Sequence, residues 1–320
     1  MTTRVLETPR YPELNLRIYQ DNGSLLAAML IPTEQRHRYI SGEMLYRYCS
    51  LIFLFPEEKN WGIFRLLKTG ATGGILRSSG RTSVNPGDYI VLDQDQNPIT
   101  VNLTTNSAPR RIRTHDISPK SQGYSECDQL QIKFRNSLRK RDDRCAITGR
   151  SAARTLEQPF LGLEATHIFP VSMLGEWTKQ GYRQYITDTR PTSEIGESGL
   201  YSIQNGLLLG AEVHCLFDQF QLGVDPDADY KIIVFAPDPE GMGGNRLRSS
   251  ARCGTECVSA DLLRWHLRMC LYKALKANAE LEPIWEEDLG EDPVASILEQ
   301  PDAAERMEVE LFTRLGGQIA

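Results

Sequence analysis

The sequence predicts an α+β protein, because strand signals occupy the first third of the chain and helix signals follow later. Segment 14–31 has apolar residues on both sides of Asp21-Asn22-Gly23, and Asn-Gly is the strongest short signal for a β-hairpin turn. Apolar residues recur at helical intervals in 124–143 and again in 259–280. Because strand signals dominate the first third and the longest helix signals follow later, we expect an α+β fold with an N-terminal β-rich domain and C-terminal helices.

Residues 1–107 are predicted to form a β-rich N-terminal domain. After the hairpin, 51–55 and 63–67 are short apolar runs that predict strands, and 88–101 predicts strand, polar turn and strand. The intervening segment 33–48 is predicted to be a helix with an exposed basic face.

A linker is predicted at 108–123, where prolines and basic residues occur with almost no apolar periodicity. The helix predicted at 124–143 ends in the densest basic cluster of the chain, which comprises Arg135, Arg139, Lys140 and Arg141. Two interpretations stay open for this cluster. The first is that the cluster is a solvated helix face, since cations are favoured at the C-terminus of a helix. The second is that the cluster contacts phosphate groups.

The chemistry-bearing residues are concentrated in 163–218. His167 lies in an apolar run that stops at Pro170, as a strand that ends at the mouth of a site would. Asn205 precedes a short apolar strand, and an amide can hold an imidazole ring. His214 and Asp218 are four residues apart, so a helix would place both on one face, where they can bind one divalent cation.

Four pieces of this region resemble the HNH endonuclease family, in particular its fungal-type members. The pieces are the Cys-x-x-Thr-Gly turn at 145–149, the strand histidine, Asn-Gly-Leu-Leu-Leu at 205–209, and His-x-Leu-Phe-Asp at 214–218. The resemblance implies a ββα-metal core. It implies that His167 is the general base, that Asn205 orients it, and that His214 with Asp218 holds Mg²⁺ or Mn²⁺. Many members have a third ligand, Asp or His, directly before the base, and here that position is Thr166.

The HNH-like domain is predicted to span 124–280 with its flanking helices. About 35 residues separate the predicted base strand from Asn205, and this insertion, which contains Trp177, is a candidate lid that contacts substrate. The remainder, 281–320, is predicted to be an acidic tail, since it carries eleven acidic and two basic residues.

Charge and composition restrict the partners. The net charge of −6 disfavours nucleic acid, because phosphate neutralisation supplies most non-specific affinity. The seven cysteines, an odd number, predict reduced thiols in the cytoplasm or nucleus, and the start of the sequence shows no secretory signal. No apolar run reaches the length that spans a bilayer, so no membrane partner is expected.

Three function classes stay open on these grounds. The first is a metal-dependent phosphodiesterase that acts on nucleic acid. The second is an HNH scaffold recruited into fungal secondary metabolism as a cyclase or isomerase of the Diels–Alder type, which would bind a small apolar metabolite and need no cofactor. The third is a non-catalytic binding module.

Overall fold

The structure is a computed structural model of the chain, and it describes residues 5–9, 11–56, 60–80, 82–109, 126–152 and 159–276. The predicted linker lies outside these residues except for positions 108 and 109, and the predicted acidic tail lies wholly outside them. All of the described residues belong to one compact unit. Within the described residues, no helix has the length and apolar character needed to cross a bilayer.

The hairpin predicted for 14–31 is confirmed. Strands β1 (Leu16–Tyr19) and β2 (Leu25–Met29) pair antiparallel on either side of the Asp21-Asn22-Gly23 turn. Gly23 has a φ of 89°, and a Cβ there would lie 2.1 Å from the carbonyl oxygen of Val5. Only glycine therefore suits this turn, for its backbone angle and for the close approach of the N-terminal segment.

Five strands form the largest sheet of the described residues. Its strand order is β2-β1-β6-β4-β5, and all pairs are antiparallel except β1 with β6. The three other strands of this sheet are β4 (Trp61–Leu66), β5 (Thr72–Ile75) and β6 (Gly87–Asp93). A separate short pair joins β3 (Phe53–Leu54) to β7 (Asn102–Leu103).

The helix predicted at 33–48 and the strand predicted at 51–55 are both misplaced. Helix α1 covers Gly42–Ile52, preceded by a single 3-10 turn at Gln35–His37, and only Phe53–Leu54 is extended. The Ser41 hydroxyl accepts a hydrogen bond from the Met44 amide and begins the helix there. The buried face of α1 continues to Ile52, so the apolar run interpreted as a strand contains the last turn of the helix.

The second half of the described chain contains a two-stranded ribbon between helices, and the mixture of helices and strands confirms the α+β class. The ribbon pairs 163–167 with 206–210, and a further pair joins 222–225 to 231–234. In chain order the elements are α2 (Glu126–Asp142), β8 (Leu163–His167), α3 (Leu174–Lys179), α4 (Thr192–Ile195), β9 (Gly206–Gly210), α5 (Ala211–Asp218), β10 (Leu222–Asp225), β11 (Lys231–Val234), α6 (Ser249–Arg252) and α7 (Ala260–Ala274).

The β8–β9 ribbon contacts both α2 and α5. Its register runs from Leu163 opposite Gly210 to His167 opposite Gly206, and α5 follows β9 without a loop. A Cβ on Gly206 would lie 2.4 Å from the ring of Phe134 in α2. Glycine at 206 therefore allows α2 to lie directly on the ribbon.

Both halves of the described chain contribute to one hydrophobic core. It contains Ile18 and Tyr48 from the N-terminal half and Val224 and Leu271 from the other half. The predicted domain boundary near residue 107 stays a prediction, and residues on both sides of it pack together.

Candidate active site on the ribbon and its two helices

His214 lies between two carboxylates. It follows the start of α5 by one turn, and Asp218 lies one further turn along the same face. The His214 Nε2 atom is 2.9 Å from Asp218 Oδ2, while its Nδ1 atom forms a hydrogen bond with the carboxylate of Glu164 in β8. We call these three residues the Glu164–His214–Asp218 cluster.

The two carboxylates determine the charge of His214. The side chain is largely buried, which by itself disfavours the imidazolium form. The hydrogen bonds with Asp218 and Glu164 outweigh this desolvation and raise the pKa of His214 above its ordinary value. A proton therefore occupies the position between His214 and Asp218 over a wider pH range than it would on an isolated histidine.

Glu164 is a site residue that sequence reasoning missed. It lies three positions before His167, and the register of the ribbon brings it to the helix that follows β9. The signal that could have found it is the alternation of side chains along a strand. Residues of one parity in β8 face α5, and Glu164 is the carboxylate with that parity.

The Glu164–His214–Asp218 cluster fits a divalent cation held by two protein ligands. His214 Nε2 and Asp218 Oδ2 lie 2.9 Å apart, and a histidine that donates Nδ1–H to a carboxylate presents the lone pair of Nε2 to a metal. The described residues contain no group of three or more His, Cys, Asp or Glu side chains arranged around one metal position. Water would complete the coordination, as is common for Mg²⁺.

Thr166 lies two residues after Glu164 and therefore points to the same face of the ribbon. Its side chain is 1% exposed, and its hydroxyl has no hydrogen-bond partner within the described part of the chain. The residue before the predicted base thus provides a buried, neutral hydroxyl oxygen on the Glu164 face of the ribbon, where the cation would be held.

His167 occupies the opposite face of the ribbon. Its ring stacks on Phe134 of α2 with centroids 3.9 Å apart, and Tyr201 meets it edge-on at 5.6 Å. Because Glu164 and His167 differ in parity, the predicted base and the predicted metal ligands approach the ribbon from different sides. The structure brings His214 together with Asp218 and holds His167 against α2.

Asn205 acts on the main chain and not on an imidazole ring. Its side-chain oxygen accepts a hydrogen bond from the Phe169 amide, and its side-chain nitrogen donates to the carbonyls of Phe169 and Leu200. The side chain is fully buried. These bonds fix the path of the chain just after His167, so Asn205 positions that residue only through the backbone.

Two of the residues predicted to contact substrate are structural. Arg141 is 4% exposed and forms an ion pair with Asp142, with its Nε and Nη2 donating 2.8 Å hydrogen bonds to the two carboxylate oxygens, and it donates further to the carbonyls of Ile203 and Gly206. Trp177 is 1% exposed and donates from its indole nitrogen to a backbone carbonyl. The apolar packing and carbonyl partners of these side chains hold the fold together.

The other predicted contact residues remain accessible on α2. Lys140 is exposed, and Arg135 is half-buried one position after Phe134, on whose ring His167 stacks. Arg139 lies over the ring of Phe160 with a distance of 4.9 Å from its guanidinium carbon to the ring centroid. This part of α2 places positive charge beside the His167 face of the ribbon.

Residues 145–225 match the family model described as HNH endonuclease. The matched segment starts at the Cys145 turn and includes the ribbon, α5 and β10. The chain contains an HNH domain. Neither a curated protein nor a solved structure matches the chain. The HNH domain covers about a quarter of the 320 residues, and the N-terminal sheet lies outside the match.

Proposed function

We propose that this HNH-domain protein is a metal-dependent phosphodiesterase. The observation that carries the proposal is the Glu164–His214–Asp218 cluster, in which two donors are 2.9 Å apart and a carboxylate sets the orientation of the imidazole. A paired His and Asp with a carboxylate behind the His is the arrangement expected of residues that bind a divalent cation. The match to the HNH endonuclease family supports the same reaction class.

Each residue has a distinct task in this proposal. His214 and Asp218 hold Mg²⁺ or Mn²⁺, and Glu164 keeps the His214 ring in the tautomer that can bind it. When bound, the cation supplies positive charge that stabilises the phosphorane-like transition state and the leaving oxygen. His167 accepts the proton of the attacking water.

The two faces of the ribbon restrict how a substrate binds. His167 is the last residue of β8, so a phosphodiester that contacts both faces must lie across this end of the strand. Arg135, Arg139 and Lys140 of α2 lie on the His167 side and can attract the neighbouring phosphates. We therefore propose a nucleic-acid backbone as the substrate, bound by local positive charge in spite of the net charge of −6.

The proposal is tested by cleavage of plasmid DNA, single-stranded DNA and RNA in the presence of Mg²⁺ or Mn²⁺. We expect His167→Ala and His214→Ala each to lower the rate by about 100-fold or more, the size of a lost general base or a lost cation. His37→Ala is the matched control, since His37 is 60% exposed and lies in the N-terminal half. Its rate should equal that of the wild type.

Calorimetric titration with Mn²⁺ separates binding from catalysis. We expect His214→Ala and Asp218→Asn to weaken Mn²⁺ binding, and His167→Ala to leave it unchanged. A wild-type protein that cleaves none of the three substrates under these conditions refutes the phosphodiesterase proposal. Turnover of an apolar metabolite that persists in EDTA would favour the recruited cyclase instead.

A further inference from the structure

A cavity lies between the HNH domain and the chain that follows it, and it is formed by residues that the proposed reaction does not use. It has a volume of about 270 Å³ and lies between the turn at 147–150 and the loop that leads into α6. Ile147 and Met242 line it with apolar surface, and both are nearly fully buried. None of its lining residues belongs to the Glu164–His214–Asp218 cluster.

The polar feature of this cavity is the guanidinium of Arg248. Its Nη1 atom would lie 3.1 Å from a Cβ on Gly149, which places the guanidinium directly against that turn. The Arg248 Nε atom is sealed from solvent and has no hydrogen-bond partner among the described residues. The backbone amide of Arg248 donates to the carbonyl of Ala146, so the residue is anchored where the side chain begins.

The neighbouring arginines differ from Arg248 in having partners. Arg150 forms an ion pair with Glu240 at 2.8 Å, and Arg246 forms one with Asp229 at 2.7 Å. Arg252 donates from its Nε to the Leu247 carbonyl. Within the described chain, Arg248 has no carboxylate within ion-pair distance.

The charge of the cavity wall is therefore positive. Glu240 is the acidic residue of the lining, and Arg150 neutralises it. The guanidinium of Arg248 remains, and Thr148 lines the same cavity. A guanidinium presents several fixed N–H donors that match the geometry of an oxyanion, and a nearby hydroxyl can add another donor.

We propose that this cavity binds a phosphate group, with Arg248 as its charged donor and Thr148 as a second donor. Arg248 lines this cavity without an ion-pair partner among the described residues, and a phosphate bound there would supply the opposite charge. The volume suits the phosphate of a small ligand, with Ile147 and Met242 contacting the group that carries it. The same chemistry would accept a phosphate of a small metabolite or one within a nucleic-acid backbone.

The test is a calorimetric or NMR titration of the full-length protein, without divalent cations, against three probes. The probes are inorganic phosphate, glucose 6-phosphate and a thymidine dinucleotide. We expect Arg248→Gln to raise the dissociation constant by about tenfold or more, as the loss of a charge-assisted hydrogen bond implies. Arg246→Gln is the matched control, because it removes the same charge two residues away, outside the cavity, and its dissociation constants should stay within about twofold of the wild type.

Thr148→Val provides an independent variant of nearly equal size, so the test stands even where Arg248→Gln fails to fold. We expect a weaker effect from it, about three- to tenfold, because a neutral donor is lost. Preference for glucose 6-phosphate assigns the cavity to a small metabolite, and preference for the dinucleotide assigns it to a nucleic-acid backbone. The proposal is overturned by a wild-type protein that binds none of the probes, or by variants that bind them as the wild type does. Because no probe is cleaved and no metal is added, this result is independent of the phosphodiesterase proposal.

Discussion

At the scale of single residues, the proton and the cation compete for one nitrogen of His214. Its Nδ1 atom is occupied by Glu164, so the Nε2 atom that faces Asp218 must lose its proton before it can bind a metal. Asp218 favours the proton and the cation alike. The affinity for Mg²⁺ or Mn²⁺ should therefore depend on pH more than it does at sites made of carboxylates alone.

Thr166→Asp should have opposite effects with and without a cation. Thr166 is buried on the Glu164 face, so a carboxylate there adds negative charge beside Asp218 and Glu164. Without metal, we expect the free energy of unfolding to fall by about 2–4 kcal/mol, because the new charge is buried without a partner. Excess Mn²⁺ should restore most of this loss, since the variant gains a third protein ligand.

Thermal denaturation with and without Mn²⁺ measures both effects. Thr178→Asp is the control, since Thr178 is an exposed residue of α3. Its melting temperature should not respond to Mn²⁺ differently from that of the wild type. If the melting temperature of Thr166→Asp also responds to Mn²⁺ as that of the wild type does, the cluster does not hold a cation.

At the scale of elements, α2 is attached to the ribbon by a buried ion pair and not only by apolar packing. The Asp142 side chain is 0% exposed, and besides its bonds with Arg141 it accepts a hydrogen bond from the Leu208 amide in β9. Arg141 extends the attachment to the Gly206 carbonyl of the same strand. The last turn of α2 thus fixes the start of the strand that leads into α5.

Replacement of Arg141 by methionine should destabilise the protein strongly. We expect a loss of about 3–5 kcal/mol in the free energy of unfolding, because the variant leaves the Asp142 carboxylate buried without its counter-charge. Lys140→Met, at the exposed neighbouring position, should change this free energy by less than about 0.5 kcal/mol. Urea denaturation of both variants measures the difference. Similar stabilities would mean that Arg141 is not the anchor of α2.

The insertion between the two ribbon strands is also fixed by a charged residue. Asp188 is 7% exposed and accepts hydrogen bonds from Arg190 and from the hydroxyl of Ser202. Burial would raise its pKa, but these hydrogen bonds prevail and lower the pKa of Asp188 to about 2. A group with a depressed folded-state pKa stabilises the protein above its unfolded-state value and loses this contribution as the pH falls.

Asp188→Asn should therefore make the stability less dependent on pH between about 4 and about 2. We expect the free energy lost by the wild type across this window to exceed that lost by the variant by about 1 kcal/mol, allowing for solvent screening. Glu197→Gln, at an exposed position of the same insertion, serves as the control. Denaturation curves at pH 4 and pH 2 provide the comparison, and equal slopes for Asp188→Asn and the wild type would contradict the assignment.

The elements and the site differ in how far the sequence predicted them. The turn at 21–23 and α2 follow from local signals, since Asn-Gly and helical apolar spacing act within a few residues. The pairing of His214 with Asp218 is local for the same reason. Glu164 was missed and Asn205 was given a different partner, because those contacts join residues about 36–50 positions apart and depend on the register of the ribbon.

At the scale of the whole molecule, a polar network accompanies the core that the two halves of the described chain share. The Arg47 guanidinium and the Tyr48 hydroxyl of α1 both donate to the Asp225 carboxylate at the end of β10, and Asp225 is fully buried. Asp227 extends the network to Arg264 of α7. The N-terminal half is therefore joined to the HNH domain by charge as well as by apolar contact.

The two halves should unfold in a single transition. Trp61 reports on the N-terminal sheet and Trp265 on α7, so single-tryptophan variants that retain one or the other should give coincident denaturation curves. Arg47→Met should lower the free energy of unfolding by about 2–4 kcal/mol, because the Asp225 carboxylate stays buried without its counter-charge. Arg36→Met, whose ion pair with Glu34 is largely exposed, should have little effect. Separate transitions for the two tryptophans would show that the halves fold independently.

The two-sided ribbon has a consequence for redesign of this protein. Positions 164 and 166 face α5, whereas 165 and 167 face α2, so substitutions at neighbouring positions change opposite faces of the ribbon. An engineer can vary the ion preference through the first pair, together with 214 and 218, and leave the stack of His167 on Phe134 intact. Gly206 must be kept in every such library of variants. A side chain there would push α2 away and disturb the face that holds His167, while only the face that holds Glu164 is meant to change.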